Sequence, residues 1–169
     1  YLAEGGRNGF QVFPLRGSFP EGRPDDPGGR YTEFETHHIG EQCALIARDT
    51  GIELALTDHT TWSLLGYRGP IEGGGTLEII DPGVWGTRQL VGADINAAVD
   101  HMNRMVVVYQ NSTTNDLMLN LRTEDGWLSP ALIVDGNGAL GFGNTLAIED
   151  RNATIGSIRI RTISGGRES

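Results

Sequence analysis

Apolar and polar residues alternate in short runs along this chain, and the runs recur at a near-constant spacing. Ala44-Leu45-Ile46-Ala47-Arg48-Asp49, Ile95-Asn96-Ala97-Ala98-Val99-Asp100 and Thr145-Leu146-Ala147-Ile148-Glu149-Asp150 align, with their closing Asp residues 51 and 50 positions apart. A short apolar run that ends in a turn former reads as a buried strand and its turn. The segments after each run repeat too. Met105 to Tyr109 is a β run of branched and aromatic residues. Its counterpart, Ile52 to Thr57, alternates as a strand does. Asp116 to Arg122, a turn at Glu124-Asp125-Gly126 and a strand ending in Ile133-Val134-Asp135 follow, with Leu77 to Asp81 in that last place one repeat earlier. Each repeat therefore predicts four strands, A to D. Leu90 to Met105 has the best local helix propensity, but the repeat alignment makes it a strand.

Four strands recurring every 40 to 50 residues is the period of a β-propeller blade. The turn signals Asp49-Thr50-Gly51, Asp125-Gly126 and Asn137-Gly138 suit up-and-down connections. The predicted organisation is all-β, with about three blades' worth of four antiparallel strands. Residues 1–38 supply a C strand at 10–16 and a D strand at 31–36, around a Pro-rich loop insertion at 17–30. Blades follow at 43–81 and 93–135, and 144–169 begins another with its A and B strands. Both ends of the arc are expected to be open. Exposed apolar faces and unpaired edges invite association, so another chain is expected to complete the ring, either a second copy or the remainder of a precursor.

Composition narrows the partners. The net charge is −9, and all 13 basic residues are Arg. An acidic chain without a basic cluster argues against nucleic acid and against an anionic membrane surface. No apolar run approaches the length that spans a bilayer as a helix. The single Cys43 excludes an internal disulfide and a Cys-rich zinc site. Glycine, at 25 of 169 residues, is about twice its usual frequency of ~7%.

The stretch from Asp94 to Asp150 resembles the repeats of secreted bacterial β-propellers of the sialidase-like and repeat-lectin kind. The residues that carry the resemblance are the apolar strand closing in Asp100, Val106-Val107-Val108-Tyr109, Asn115-Asp116-Leu117, Gly126-Trp127, and Val134-Asp135 leading to Leu146-Ala147-Ile148. It implies a secreted or cell-envelope location and a site on the face around the central channel. Propellers serve many unrelated functions, so it implies no particular activity. The Asp-box of true sialidases, Ser-x-Asp-x-Gly-x-Thr-Trp, is not met. In Thr57-Asp58-His59-Thr60-Thr61-Trp62 the Trp comes one residue early and the Gly is missing. Sialidase chemistry does not carry over.

Candidate chemistry is sparse. His37, His38, Glu41 and Cys43 could ligate a metal, but adjacent imidazoles on a strand point to opposite faces, so no metal site and no cofactor is assigned. Cys43 is expected to pack as a small apolar residue. Asp49, Asp100 and Asp150 are expected to cap turns, and Trp62 and Trp127 to pack between blades. The B–C and D–A turns share one face, which includes His37, His38, Glu41, Asp58, His59, Trp85, Arg88 and the turn 111–115. The candidate ligand-binding residues there are His38, His59, Trp85 and Asp58, suited to a polyol or glycan. No nucleophile–base or paired-carboxylate signature appears, so no catalytic residue is assigned. Two functions remain: a non-enzymatic binding or assembly module for a glycan or protein partner, and, as the alternative, part of a glycan hydrolase or lyase whose catalytic residues are shared with another chain.

Overall fold

In the computed structural model, residues 39–59, 61–70, 75–83 and 90–160 are described. The expected strands at 10–16 and 31–36 and the insertion at 17–30 lie outside them. Eleven strands are present among the described residues: β1 (Ile39–Arg48), β2 (Gly51–Asp58), β3 (Ser63–Gly69), β4 (Thr76–Asp81), β5 (Val91–Val99), β6 (Met105–Asn111), β7 (Asp116–Thr123), β8 (Gly126–Trp127), β9 (Leu132–Asp135), β10 (Ala139–Glu149) and β11 (Asn152–Ile160). All pairings are antiparallel. Sheet 1 is β1-β2-β3-β4, sheet 2 is β5-β6-β7 with β8 and β9 both paired to β7, and sheet 3 is β10-β11. No helix among the described residues is long and apolar enough to cross a membrane.

The all-β expectation holds, and each sequence repeat forms a sheet of its own. Within the 90–105 stretch, Val91–Val99 forms strand β5 despite its helix propensity; pairing with β6 overrides that weak local preference. The D strand of sheet 2 comes in two pieces, β8 and β9.

β6 shows why the sheets stack. All seven of its residues are buried, whereas an antiparallel sheet with one solvated face buries alternate residues only. Sheet 2 is covered on both sides. Toward sheet 1, its Val91, Met105, Val107, Tyr109 and Met118 share a core with Ala55, Leu64 and Ile80, with Ile46, Ile95, Ala97 and Trp127 packed against it. Fully burying one such large side chain contributes about 1.5–3 kcal/mol. Gly66 faces Trp127 across the joint, where a Cβ would make an ordinary contact with Trp127 Cζ2 at 3.5 Å. Gly92 holds φ +84°, and a Cβ there would meet Leu64 Cδ1 at 2.8 Å. Its carbonyl accepts the Thr57 hydroxyl at 2.5 Å, tying the two sheets together.

The first strands lie side by side: β5 packs against both β1 and β10. Asn144 Nδ2 donates to Asp94 O at 2.9 Å, and Gln110 Nε2 donates to Leu140 O at 2.6 Å, joining sheet 3 to sheet 2.

The hairpins refine the repeat alignment. Arg48 pairs with Gly51 and Glu149 with Asn152, so both connections are two-residue turns. Val99 pairs with Met105 across a loop of five residues. Sheets 1 and 3 therefore match residue for residue, while sheet 2 shifts by one and turns Ile95 and Ala97 toward sheet 1. Cys43 differs from expectation: it is exposed, on the face of sheet 1 that points away from sheet 2.

Candidate functional site

Two ends of the sheets carry polar side chains. At the B–C end, Asp58 closes β2 and is 0% exposed. Its Oδ2 accepts the Thr61 hydroxyl at 2.7 Å, and Thr61 Oγ1 lies 2.6 Å from Ser63 Oγ. Asp58 thus sits inside the β2–β3 turn, where its carboxylate orders the backbone and meets no solvent. His59 follows it, half-buried, its ring 6.5 Å from that of Trp62 and tilted by 57°. Of the four expected ligand-binding residues, Asp58 and His59 are adjacent in this turn; His38 and Trp85 lie outside the described residues.

The opposite end holds the larger concentration of charge. A cleft of about 730 Å³ opens between sheets 1 and 2 and is lined by, among others, Arg68, Arg104, Arg122, Glu53, Glu78 and Asn103. A second cavity of about 390 Å³ shares Arg68 and Asn103 with it and adds Arg48. The strands explain the clustering. β1, β3 and β7 each bring an arginine to this end within one or two residues of their last position, and the loop into β6 brings Arg104.

Each guanidinium has a carboxylate. Glu53, almost fully buried, accepts Arg48 Nη2 at 2.5 Å and Arg68 Nε at 3.2 Å. Arg122 Nη1 reaches Glu78 Oε2 at 2.7 Å, and Trp127 Nε1 donates to the same oxygen at 3.0 Å. Arg48 Nη1 also crosses to Asn103 Oδ1 of the sheet 2 loop at 2.5 Å. The Arg68 side chain remains 61% exposed, so one cation of the cleft keeps most of its donors in water.

Asp100 organises that loop. Its Oδ1 accepts the backbone N–H groups of Met102 and Arg104 at 2.9 and 2.8 Å, and its Oδ2 lies 2.6 Å from Arg104 Nη2. Desolvation works against its ionisation, but the Arg104 side chain and the two backbone N–H groups outweigh it and hold the carboxyl below its ordinary value. The capping expected of Asp100 is present. Asp49 and Asp150 occupy the two-residue turns and are exposed.

Further buried side chains join sheets 1 and 2. Tyr109 Oη donates to Asp81 Oδ2 across the two sheets at 2.5 Å. Burial first, then the Asp81 charge and hydrogen bond, push that phenol far above its ordinary value. Trp127 packs between sheets 1 and 2 as expected, with the Arg122 guanidinium 5.9 Å from its ring centroid. Among the described residues no group of three or more His, Cys, Asp and Glu side chains is placed to hold a metal ion.

Sequence reasoning passed over the arginine-lined cleft because each Arg is isolated in sequence. The usable signal was positional: Arg48, Arg68 and Arg122 all close strands that end on the same side of their sheets. No protein family, curated protein or solved structure matches this chain.

Proposed function

We propose that the chain is an arc of β-propeller blades that serves as a non-enzymatic binding and assembly module, outside the cell or at its envelope, recognising a glycan or a protein partner. The observation that carries the reading is the adjacency of the first strands. β5 touches both β1 and β10, and each sheet runs onward from that strand as a meander. Three sheets stacked by their faces about neighbouring first strands are the arrangement of consecutive blades.

The binding surface we assign is the cleft between sheets 1 and 2. Guanidinium donors on Arg68 and Arg104, the Asn103 amide and the Thr123 hydroxyl line it together, beside the apolar Met102. Fixed donors and acceptors beside an apolar rim suit a polyol. Two of its carboxylates, Glu53 and Glu78, are bound to arginine and serve as struts that hold the arginines in place.

A glycan array probed with the whole chain tests the reading, with turnover of every bound glycan followed in parallel. Binding without turnover, weakened at least ~10-fold by Arg68→Ala or Arg104→Ala, is the expected result. Turnover of a bound glycan overturns the non-enzymatic reading. Binding that survives both substitutions removes the cleft as the binding surface.

A further inference from the structure

We propose that Asn137 is a site of covalent self-modification. In the folded chain its side-chain amide is attacked by the backbone nitrogen of Gly138, loses ammonia to form a succinimide, and opens with water to aspartate and isoaspartate. The site lies in the link between sheets 2 and 3 and does not depend on the binding reading above.

The sequence supplies the reactive pair. Ring closure brings the nitrogen of the following residue onto the Asn Cγ, and a side chain on that residue obstructs the approach. In Asn137-Gly138 the obstruction is missing, whereas every other asparagine among the described residues precedes a residue with a Cβ. The fold then leaves the pair free. Both residues are exposed in the turn between β9 and β10. Gly138 holds φ +95°, and a Cβ there would meet nothing within 4 Å, so open space surrounds the bond that must form. Glycine can also leave that conformation without a steric barrier. Neither the Gly138 N–H nor the Asn137 side-chain amide has a hydrogen-bond partner among the described residues. The Asn137 backbone N–H alone is held, donating to Asp135 Oδ1 at 2.9 Å.

Other turn asparagines show what protection looks like. Asn111 Oδ1 accepts the N–H groups of Thr113 and Thr114, and the nitrogen that would attack it, Ser112 N, donates to Leu90 O. Asn103 Oδ1 accepts Arg48 Nη1, and its following nitrogen, Arg104 N, donates to Asp100 Oδ1. In both, the amide is held and the nucleophile is occupied. At Asn137 neither restraint is present.

The step needs water alone. The bond from Gly138 N to Asn137 Cγ forms, the bond from Cγ to Nδ2 breaks, and the proton of the attacking nitrogen passes through solvent to the departing amide, which leaves as ammonia. One water then opens the ring. Opening at Cγ restores the ordinary backbone with an aspartate; opening at the backbone carbonyl gives isoaspartate, with the chain running through Cγ. Either product takes the net charge from −9 to −10. The position gives the change a consequence. Asp135 of the same turn pairs with Arg159 of β11, which ties sheet 3 to sheet 2. Modification adds a second carboxylate two residues from that pair, and isoaspartate lengthens the link between the sheets by one backbone carbon.

The experiment is a time course of the whole chain in mildly alkaline buffer, folded and in urea, read by peptide mapping with fragmentation that assigns each asparagine. In the folded chain Asn137 is expected to gain one mass unit at least ~10-fold faster than Asn103 or Asn152, which are also exposed. Its product is expected to be a mixture richer in isoaspartate than aspartate, labelled by an isoaspartyl methyltransferase, and its rate to rise with pH because the deprotonated nitrogen attacks. The acidic species formed at this position, seen by isoelectric focusing, should disappear in Asn137→Gln. The second Asn-Gly pair of the sequence, Asn8-Gly9, lies outside the described residues and is separated by the mapping. An Asn137 that converts in urea but stays intact in the folded chain overturns the proposal, as does one that converts in neither. Conversion to aspartate without isoaspartate overturns the succinimide route and with it the role of Gly138.

Discussion

Replacing Asn120 with Ala is expected to be among the most damaging single changes to this fold, and the structure sets the size of the loss. Asn120 is 0% exposed in β7. Its Nδ2 donates to Ile80 O of sheet 1 at 3.0 Å and to Leu128 O at 3.1 Å. Its Oδ1 accepts Leu121 N at 2.8 Å and Leu128 N at 3.0 Å. Four neutral hydrogen bonds at about 1 kcal/mol each, with two carbonyls left short of a partner and a small void, give a cost of about 3–5 kcal/mol. That is a large share of the 5–15 kcal/mol typical of a whole domain. Asn144 is the internal comparison: its Nδ2 makes one bond to Asp94 O, and its Oδ1 is buried without a partner among the described residues. Asn144→Ala removes one bond and also one orphaned acceptor, so it should cost less than about 2 kcal/mol. Urea unfolding followed by fluorescence and circular dichroism together measures both, with coincident curves establishing two-state behaviour. A loss below about 1 kcal/mol for Asn120→Ala, or equal losses for the two variants, would refute the reasoning.

The remaining predictions concern charge and pH. Glu53→Ala should cost about 3 kcal/mol in urea unfolding, because it leaves the largely buried Arg48 charge without its carboxylate, with only the neutral Asn103 amide as acceptor; Arg68→Ala, on the exposed side of the same carboxylate, should cost under about 1 kcal/mol. Tyr109 is raised in the folded state, so its contribution is complete below the ordinary phenol value of about 10 and is lost as pH climbs above it. Tyr109→Phe should therefore be less stable near neutrality and fall off less steeply in alkali, as read by thermal melts across pH. Asp100 is lowered, so its contribution is present above the ordinary carboxyl value and disappears as pH falls through the folded one. The stability gap between wild type and Asp100→Asn should accordingly shrink to nothing in strong acid.

What the sequence made legible was decided by local chemistry. The branched run Met105 to Tyr109 could be little other than a buried strand, and the 50-residue recurrence of apolar runs closed by Asp marked where one sheet ends and the next begins. The facing of those strands was not legible. It depends on whether a hairpin loop holds two residues or five, and that parity turned Ile95 and Ala97 toward sheet 1 while Cys43 turned outward to the surface. Asp58 attracted a binding role as a polar turn residue, but its partners Thr61 and Ser63 enclose it. The arginine-lined cleft was hidden for the opposite reason: Arg48, Arg68, Arg104 and Arg122 are scattered over 75 positions and converge only because alternate turns of a meander share an end. Asn120 gave no warning either, since nothing in Leu119-Asn120-Leu121 announces that a polar residue inside a strand will bridge two sheets.

The most direct test of the account is the set of methyl–methyl contacts made by β5 in solution, measured by nuclear Overhauser spectroscopy on a methyl-labelled chain. The account predicts that Ile95, Ala97 and Val99 give cross-strand contacts to β6 and that β5 methyls also reach β1 through Ile46 and β10 through Leu146 or Ile148. Contacts from β5 to only one of these two strands would contradict the stacked arrangement of three sheets about neighbouring first strands, and with it the propeller reading.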